Sequence, residues 1–99
     1  MVEVELFFPL SRMVDRQATG RIRLTENIRH GELLRSLLTR LVLKYPGLQN
    51  IFDLEKQELN PFAIVIINNT IVAPHELTDA TLNDGDEVSL LPQHVGGTG

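Results

Sequence analysis

The sequence predicts an α+β domain in which one main helix packs on one face of a mixed four- to five-stranded sheet. Three observations carry that prediction. Apolar residues alternate with polar ones at Val2, Val4, Leu6 and Phe8, and again in a terminal strand over Asp86–Leu91, which is the two-residue period of half-buried strands. Between these lies one stretch of helical period. The 99 residues contain no internal repeat, low-complexity segment or linker, so they form one small domain with a single core.

Val2, Val4, Leu6 and Phe8 are expected to face the core, which turns Phe7 outward; Pro9 closes this strand. Gln17-Ala18-Thr19-Gly20 is a connecting loop, and Arg21 to Thr25 alternates again, giving an N-terminal hairpin with a long loop. From about His30 to Tyr45 the period changes. Leu33, Leu34, Leu37, Leu38, Leu41 and Val42 form the stripe of an amphipathic helix, with Glu32, Arg35, Ser36, Thr39 and Arg40 off it. Burying each stripe leucine is worth ~1.5–3 kcal/mol, which makes the stripe the largest contribution to the core. Asn27 is the candidate N-cap, and Pro46-Gly47 stops the helix.

Leu48 to Asn60 reads as polar and irregular, anchored by Ile51, Phe52 and Leu54. Phe62 to Ile67 is nearly all apolar, as in a strand covered on both faces or partly exposed to a partner. Asn68-Asn69 is a turn dipeptide able to take positive φ, and a short strand Thr70-Ile71-Val72 follows until Pro74 prevents extension. Asn83-Asp84-Gly85 turns the chain into the last strand. The order is β-β-α-β-β-β. Packing one helix across one sheet, with the first and last strands together at its centre, is the β-grasp arrangement. It assigns residues 1–92 to the domain and 93–99 to a tail beside the helix end, expected to be mobile.

Composition narrows the function. The chain has no cysteine, which excludes disulfides, thiolate metal sites and a cysteine nucleophile. No apolar run approaches the ~20 residues of a membrane span, and the acidic, alternating N-terminus is unlike a signal peptide, so a cytoplasmic protein with no membrane partner is expected. The net charge of −4 is unevenly spread: residues 12–44 carry eight basic side chains against three acidic ones, and residues 45–99 carry Lys56 against eight acidic ones. Such asymmetry can steer a partner. A nucleic-acid surface is disfavoured, because interleaved aromatics, a binding motif and overall basicity are all missing. His30, His75 and His94 have no metal-ligand spacing, so no metal site is assigned. The acidic residues form no acid/base pair in an identifiable cleft, so no catalytic residue is assigned either.

The tail Val95-Gly96-Gly97-Thr98-Gly99 follows the terminal strand. Two glycines without Cβ atoms can thread a narrow channel and adopt backbone angles closed to other residues. That suits a carboxylate delivered into another protein's active site.

The chain resembles the ubiquitin-like diglycine family: the small subunit of molybdopterin synthase, the thiamine sulfur carrier and the ubiquitin-related modifiers. The resemblance spans the whole chain. It rests on Leu6-Phe7-Phe8, Gly31-Glu32-Leu33-Leu34, Lys44-Tyr45-Pro46, Ile66-Ile67-Asn68, Leu82 to Val88 and Val95-Gly96-Gly97, in that order and spacing. It implies a protein co-substrate rather than an enzyme. An E1-like enzyme would use ATP to adenylate the Gly97 carboxylate, and the chain itself would bind no cofactor. The activated carboxylate would become a thiocarboxylate for molybdopterin, thiamine or tRNA thiolation, or be passed to a protein lysine. An E2-like enzyme and target proteins, or a molybdopterin synthase large subunit, would be further partners.

Thr98 and Gly99 depart from the family pattern, which ends at the second glycine. They imply a precursor trimmed after Gly97 by a zinc metalloprotease, and they favour the modifier reading. Phe7, Ile71 and Leu91 are the expected docking patch on the helix-free face. Asp84, Asp86 and Glu87 are expected to meet a basic partner surface near the tail. Lys44 and Lys56 are the candidate acceptor lysines for a second copy.

Overall fold

The computed structural model describes residues 1–93. In chain order its strands are β1 (Val2–Leu6) and β2 (Ile22–Glu26), then helix α1 (Leu34–Lys44) and two short strands, β3 (Phe52–Asp53) and β4 (Glu58–Leu59). They are followed by β5 (Ala63–Ile67), β6 (Thr70–Val72) and β7 (Glu87–Pro92). Short 3-10 turns occupy Leu10–Met13, Pro46–Asn50 and Pro74–Glu76.

Five strands form one sheet in the order β2-β1-β7-β5-β6, and β3 pairs with β4 apart from it. The first and last strands, β1 and β7, run parallel side by side, and the other pairings are antiparallel. This is the mixed β-grasp sheet expected from the sequence, and β7 lies at its middle.

The core forms between α1 and one sheet face. Val2, Val4 and Leu6 of β1, Val65 of β5, and Val88 and Leu90 of β7 meet Leu34, Leu37, Leu38, Leu41 and Val42 of the helix. Ile51 and Phe52 are buried as expected, although the segment that holds them contains the β3–β4 ladder and is not wholly irregular. Pro46-Gly47 does end α1, and Gly47 has a second role: a Cβ there would collide with the backbone carbonyl of Met13. Asn68 and Asn69 both take positive φ between β5 and β6, and Gly85 does so ahead of β7.

Three expectations need correction. Phe8 does not continue the inward row: β1 ends at Leu6, the chain turns at Pro9, and Leu10 takes the buried position while Phe8 is 47% exposed. Its ring lies 5.4 Å from the Arg12 guanidinium. Asn27 is not the helix N-cap. Leu33 occupies that position without a side-chain cap, and the first helical amide, that of Leu34, donates instead to the Ala80 carbonyl at 2.8 Å. A backbone clamp from residues 80–82, completed by Leu82 N–H to the Glu32 carbonyl at 2.8 Å, replaces the local cap. Arg35 lies off the leucine stripe but is half-buried, and its Nε is buried with no hydrogen-bond partner among the described residues.

Two leucines on opposite sides of α1 test this packing. Leu37 is fully buried and Leu43 is 69% exposed. Leu37→Ala should destabilise the fold by ~2–5 kcal/mol through the cavity it leaves. Leu43→Ala, the same truncation in solvent, should stay within ~0.5 kcal/mol. Equal shifts in the urea midpoint would mean that the helix is turned differently.

Candidate functional site

On the sheet face opposite α1, pleating turns out every second residue. The register places them in rows. Leu91 of β7 lies opposite Ile64 of β5, Ser89 lies between Glu5 of β1 and Ile66 of β5, and Ile66 lies opposite Ile71 of β6. Phe7 extends beyond β1, where its N–H donates to the Leu90 carbonyl at 2.9 Å, so it stands beside Leu91. The structure therefore brings Phe7, Leu91 and Ile71 onto one face, as the sequence suggested. Ile71 is 61% exposed, while Phe7 and Leu91 are half-buried by their neighbours.

The patch also contains Ile64 and Ile66, which were not singled out from the sequence. Their signal was the uninterrupted apolar run of β5. Ala63 and Val65 fill the core, and the alternate isoleucines remain half-exposed on the outer face. Of the two readings of that run, partial exposure is the one the fold adopts.

The β1–β2 side of the same face is charged. Arg21 lies 3.3 Å from Glu5, and Arg23 lies 3.4 Å from Glu5 and 3.7 Å from Glu3. The Arg21 guanidinium also sits 5.9 Å from the Phe7 ring centroid, at the seam between charged and apolar halves. Apolar clusters rimmed by such polar groups are characteristic of protein–protein contact surfaces.

At the end of β7, the Gln93 N–H donates to the Phe62 carbonyl at 2.6 Å, so the chain leaves the sheet next to Leu91 and Ile64. Gly96, Gly97, Thr98, Gly99 and His94 lie outside the described residues, as does the expectation of a mobile tail.

Asp84, Asp86 and Glu87 are not near that exit, contrary to expectation. They sit at the other end of β7, roughly 20 Å away at ~3.3 Å of rise per residue. Asp86 is committed to the turn: its carboxylate accepts from the Asn68 side chain and from the Asn83 N–H, each at 2.8 Å. The Glu87 N–H donates to Asn68 Oδ1 at 2.9 Å. Asp84 pairs with the Met1 ammonium, whose hydrogen bond and charge hold its carboxyl below the usual range.

The two lysines differ. Lys44 Nζ lies 2.8 Å from Glu26 Oε2, and the Glu26 side chain is only 8% exposed. Lys56 is exposed on the turn between β3 and β4.

A central parallel pair of first and last strands, one helix across one face and an apolar strip on the other define a ubiquitin-like β-grasp protein. The chain belongs to the ThiS family, whose model matches residues 14–97. Among solved structures it is similar to the small archaeal modifier protein 1 of Methanosarcina acetivorans, with 31% identity, a TM-score of 0.69, and coverage of 97% of this chain and 95% of that one. The HVO 2177 protein of Haloferax volcanii is 33% identical with a TM-score of 0.65, over 97% of this chain and 87% of that one. Urm1 from Trypanosoma brucei, at 23% identity, has the same fold with a TM-score of 0.71 over 97% and 94% of the two chains. A search of curated protein sequences gave no significant match. The family is one of small ubiquitin-like sulfur carriers and protein modifiers. Among the described residues no helix is long and apolar enough to cross a membrane.

The Glu26–Lys44 pair gives a pH prediction. The hydrogen bond to Glu26, and then its charge, raise the Lys44 pKa above the usual 10.5. A raised folded-state pKa means that the stabilisation is complete below the unfolded value and is lost as pH rises through the folded one. The urea midpoint of the native chain should therefore fall above pH 10.5. Lys44→Arg, whose guanidinium stays charged, should fall less over the same range. Parallel curves would show that the pair contributes nothing.

Proposed function

We propose that this chain is a ubiquitin-like protein modifier, made as a precursor and trimmed after Gly97 by a metalloprotease. An E1-like enzyme then activates its Gly97 carboxylate for transfer to protein lysines. The observation that supports this best is the 31% identity, over nearly the full length of both chains, with a protein named as a small archaeal modifier. The chemistry is consistent with a carrier that has no active site of its own. A free carboxylate is a poor acyl donor; attack of its oxygen on the α-phosphate of ATP expels pyrophosphate and leaves an acyl-adenylate. A nucleophile then displaces AMP. The glycines supply reach into the enzyme, and the folded body supplies recognition.

In this reading Phe7, Ile64, Ile71 and Leu91 dock the activating enzyme. Their strip begins where the chain leaves β7, so docking would hold the tail next to the surface that binds the strip. Asp84, Asp86 and Glu87, at the far end, are assigned to turn structure instead. The match to the ThiS family favours a second reading, in which sulfide or a persulfide displaces AMP and the chain carries a thiocarboxylate for molybdopterin, thiamine or tRNA thiolation. An E2-like enzyme or a molybdopterin synthase large subunit would be the next partner in the respective cases, with the cytoplasm as the setting.

The deciding experiment incubates a chain ending at Gly97 with its own organism's E1-like enzyme, ATP and sulfide, alongside a cell extract. Heavier conjugates of other proteins support the modifier. A product whose mass shows only replacement of one oxygen by sulfur supports the carrier instead. ATP–pyrophosphate exchange should occur with the Gly97-ended form and not with the full-length chain until it is trimmed. Equal rates for both would discard the precursor step.

Docking is tested separately. Ile71→Ser should raise the Kd for the activating enzyme about tenfold, a loss of ~1.4 kcal/mol, with an unchanged melting temperature because the side chain is exposed. Phe7→Ala and Leu91→Ser should weaken binding at least as much, with a small loss of stability from their partial burial. Unchanged affinity in all three would remove the strip from the interface.

A further inference from the structure

The chain contains two lysines, and the fold places their amines in opposite situations. Lys44 Nζ is the counter-ion of Glu26, a carboxylate whose side chain is 8% exposed. Acylation would convert that ammonium to a neutral amide and leave a largely buried negative charge unpaired, a strongly destabilising change. The raised pKa of Lys44 also lowers the fraction of free amine, the only form that can attack an acyl group.

Lys56 stands at the tip of the β3–β4 turn, which is braced at several points. Asp53 Oδ1 accepts from the N–H groups of Glu55 at 2.8 Å and Lys56 at 3.0 Å. Gln57 adopts a φ of 54°, and its Nε2 donates to the Leu54 carbonyl at 2.9 Å. The Gln57 amide also meets the Thr39 hydroxyl of α1, and buried Phe52 anchors the base of the ladder. The backbone under Lys56 is thus fixed, while its Nζ has no hydrogen-bond or ion-pair partner among the described residues. Beside it, Gln49, Asn50, Asp53, Glu58 and Asn60 line a polar depression; Asn50 Nδ2 already donates to the Gly47 carbonyl and Asn60 Oδ1 accepts from the Phe62 N–H.

We propose that Lys56 is the acyl-acceptor lysine of this protein, taking the Gly97 acyl group of a second copy in isopeptide linkage, and that Lys44 is not. This rests on the modifier reading. The unprotonated Nζ attacks the Gly97 carbonyl carbon of the acyl-adenylate. A C–N bond forms, the C–O bond to phosphate breaks, AMP leaves with the electron pair, and the amine proton passes to water. The acceptor turn packs beside α1 through the Gln57–Thr39 contact.

The test uses the full-length chain as acceptor, a Gly97-ended chain carrying Lys56→Arg as donor, the E1-like enzyme and ATP, with branched peptides mapped by mass spectrometry. The expected linkage is at Lys56; it is lost in a Lys56→Arg acceptor and retained in Lys44→Arg. Linkage at Lys44, or an undiminished product with Lys56→Arg, overturns the proposal, as does modification of other proteins with none at Lys56. An enzyme-independent measurement accompanies it: limiting acetyl N-hydroxysuccinimide ester should acetylate Lys56 while leaving Lys44 largely unmodified. Equal labelling overturns the assignment even if conjugates form. Failure of the modifier reading itself looks different, since no protein in an extract would then carry the chain although pyrophosphate exchange proceeds.

Discussion

The parallel pairing of β1 with β7 is the constraint on which the rest of the molecule depends. It joins the two most distant strands of the chain at the centre of the sheet, with Glu3 N–H donating to the Asp86 carbonyl at 3.1 Å and Phe7 N–H to the Leu90 carbonyl at 2.9 Å. Neither strand can slip by one residue, because Val4, Leu6, Val88 and Leu90 would leave the core for solvent. The same register decides what is left on the outer face. Phe7 and Leu91 are neighbours there because Leu6 and Leu90 are neighbours inside. Closing a contact of such long sequence separation is entropically costly, and the well-buried leucines of α1 offset that cost.

The register also needs a fixed start for β7. Asn68, at positive φ in the β5–β6 turn, exchanges hydrogen bonds with Asp86 and Glu87. Gly85 takes a φ of 90° just before. The Asp86 carboxylate and the Glu87 backbone thus work as a lock between two turns. Half of the basic stretch is paired in the fold: Arg21 and Arg23 with Glu3 and Glu5, Arg40 with Glu32, and Lys44 with Glu26. None of these partners comes from residues 45–99, so the acidic surplus of that half is not paired off by the basic stretch. Most of these pairs are exposed and individually worth little.

What could be read from the sequence follows from which signals are local. The leucine stripe, the alternation of β1 and β7 and the Asn68-Asn69 and Asn83–Gly85 turns each depend on neighbours in the chain, and the structure matches them. Phe8 misled because period-two alternation does not indicate where a strand stops; Pro9 broke the phase one residue later. Asn27 misled because the amide that it might have capped is satisfied from Ala80, a tertiary contact with no local signature. β3 and β4, at two residues each, are too short to show any period. In the apolar patch of the outer face, Phe7, Ile71 and Leu91 were legible by parity, while Ile64 and Ile66 were hidden in a run that is apolar on both faces. The difference between Lys44 and Lys56 had no sequence signature, since Glu26 meets Lys44 only through the fold.

Because β1 and β7 run in the same direction, Val2 and Pro92 lie at opposite ends of one ribbon of the sheet, separated by about the length of a strand. A reporter protein or affinity handle attached ahead of Met1 would emerge beside Asp84, at the pole remote from Gln93. Labelling there leaves the outward isoleucines and the departing chain sterically clear.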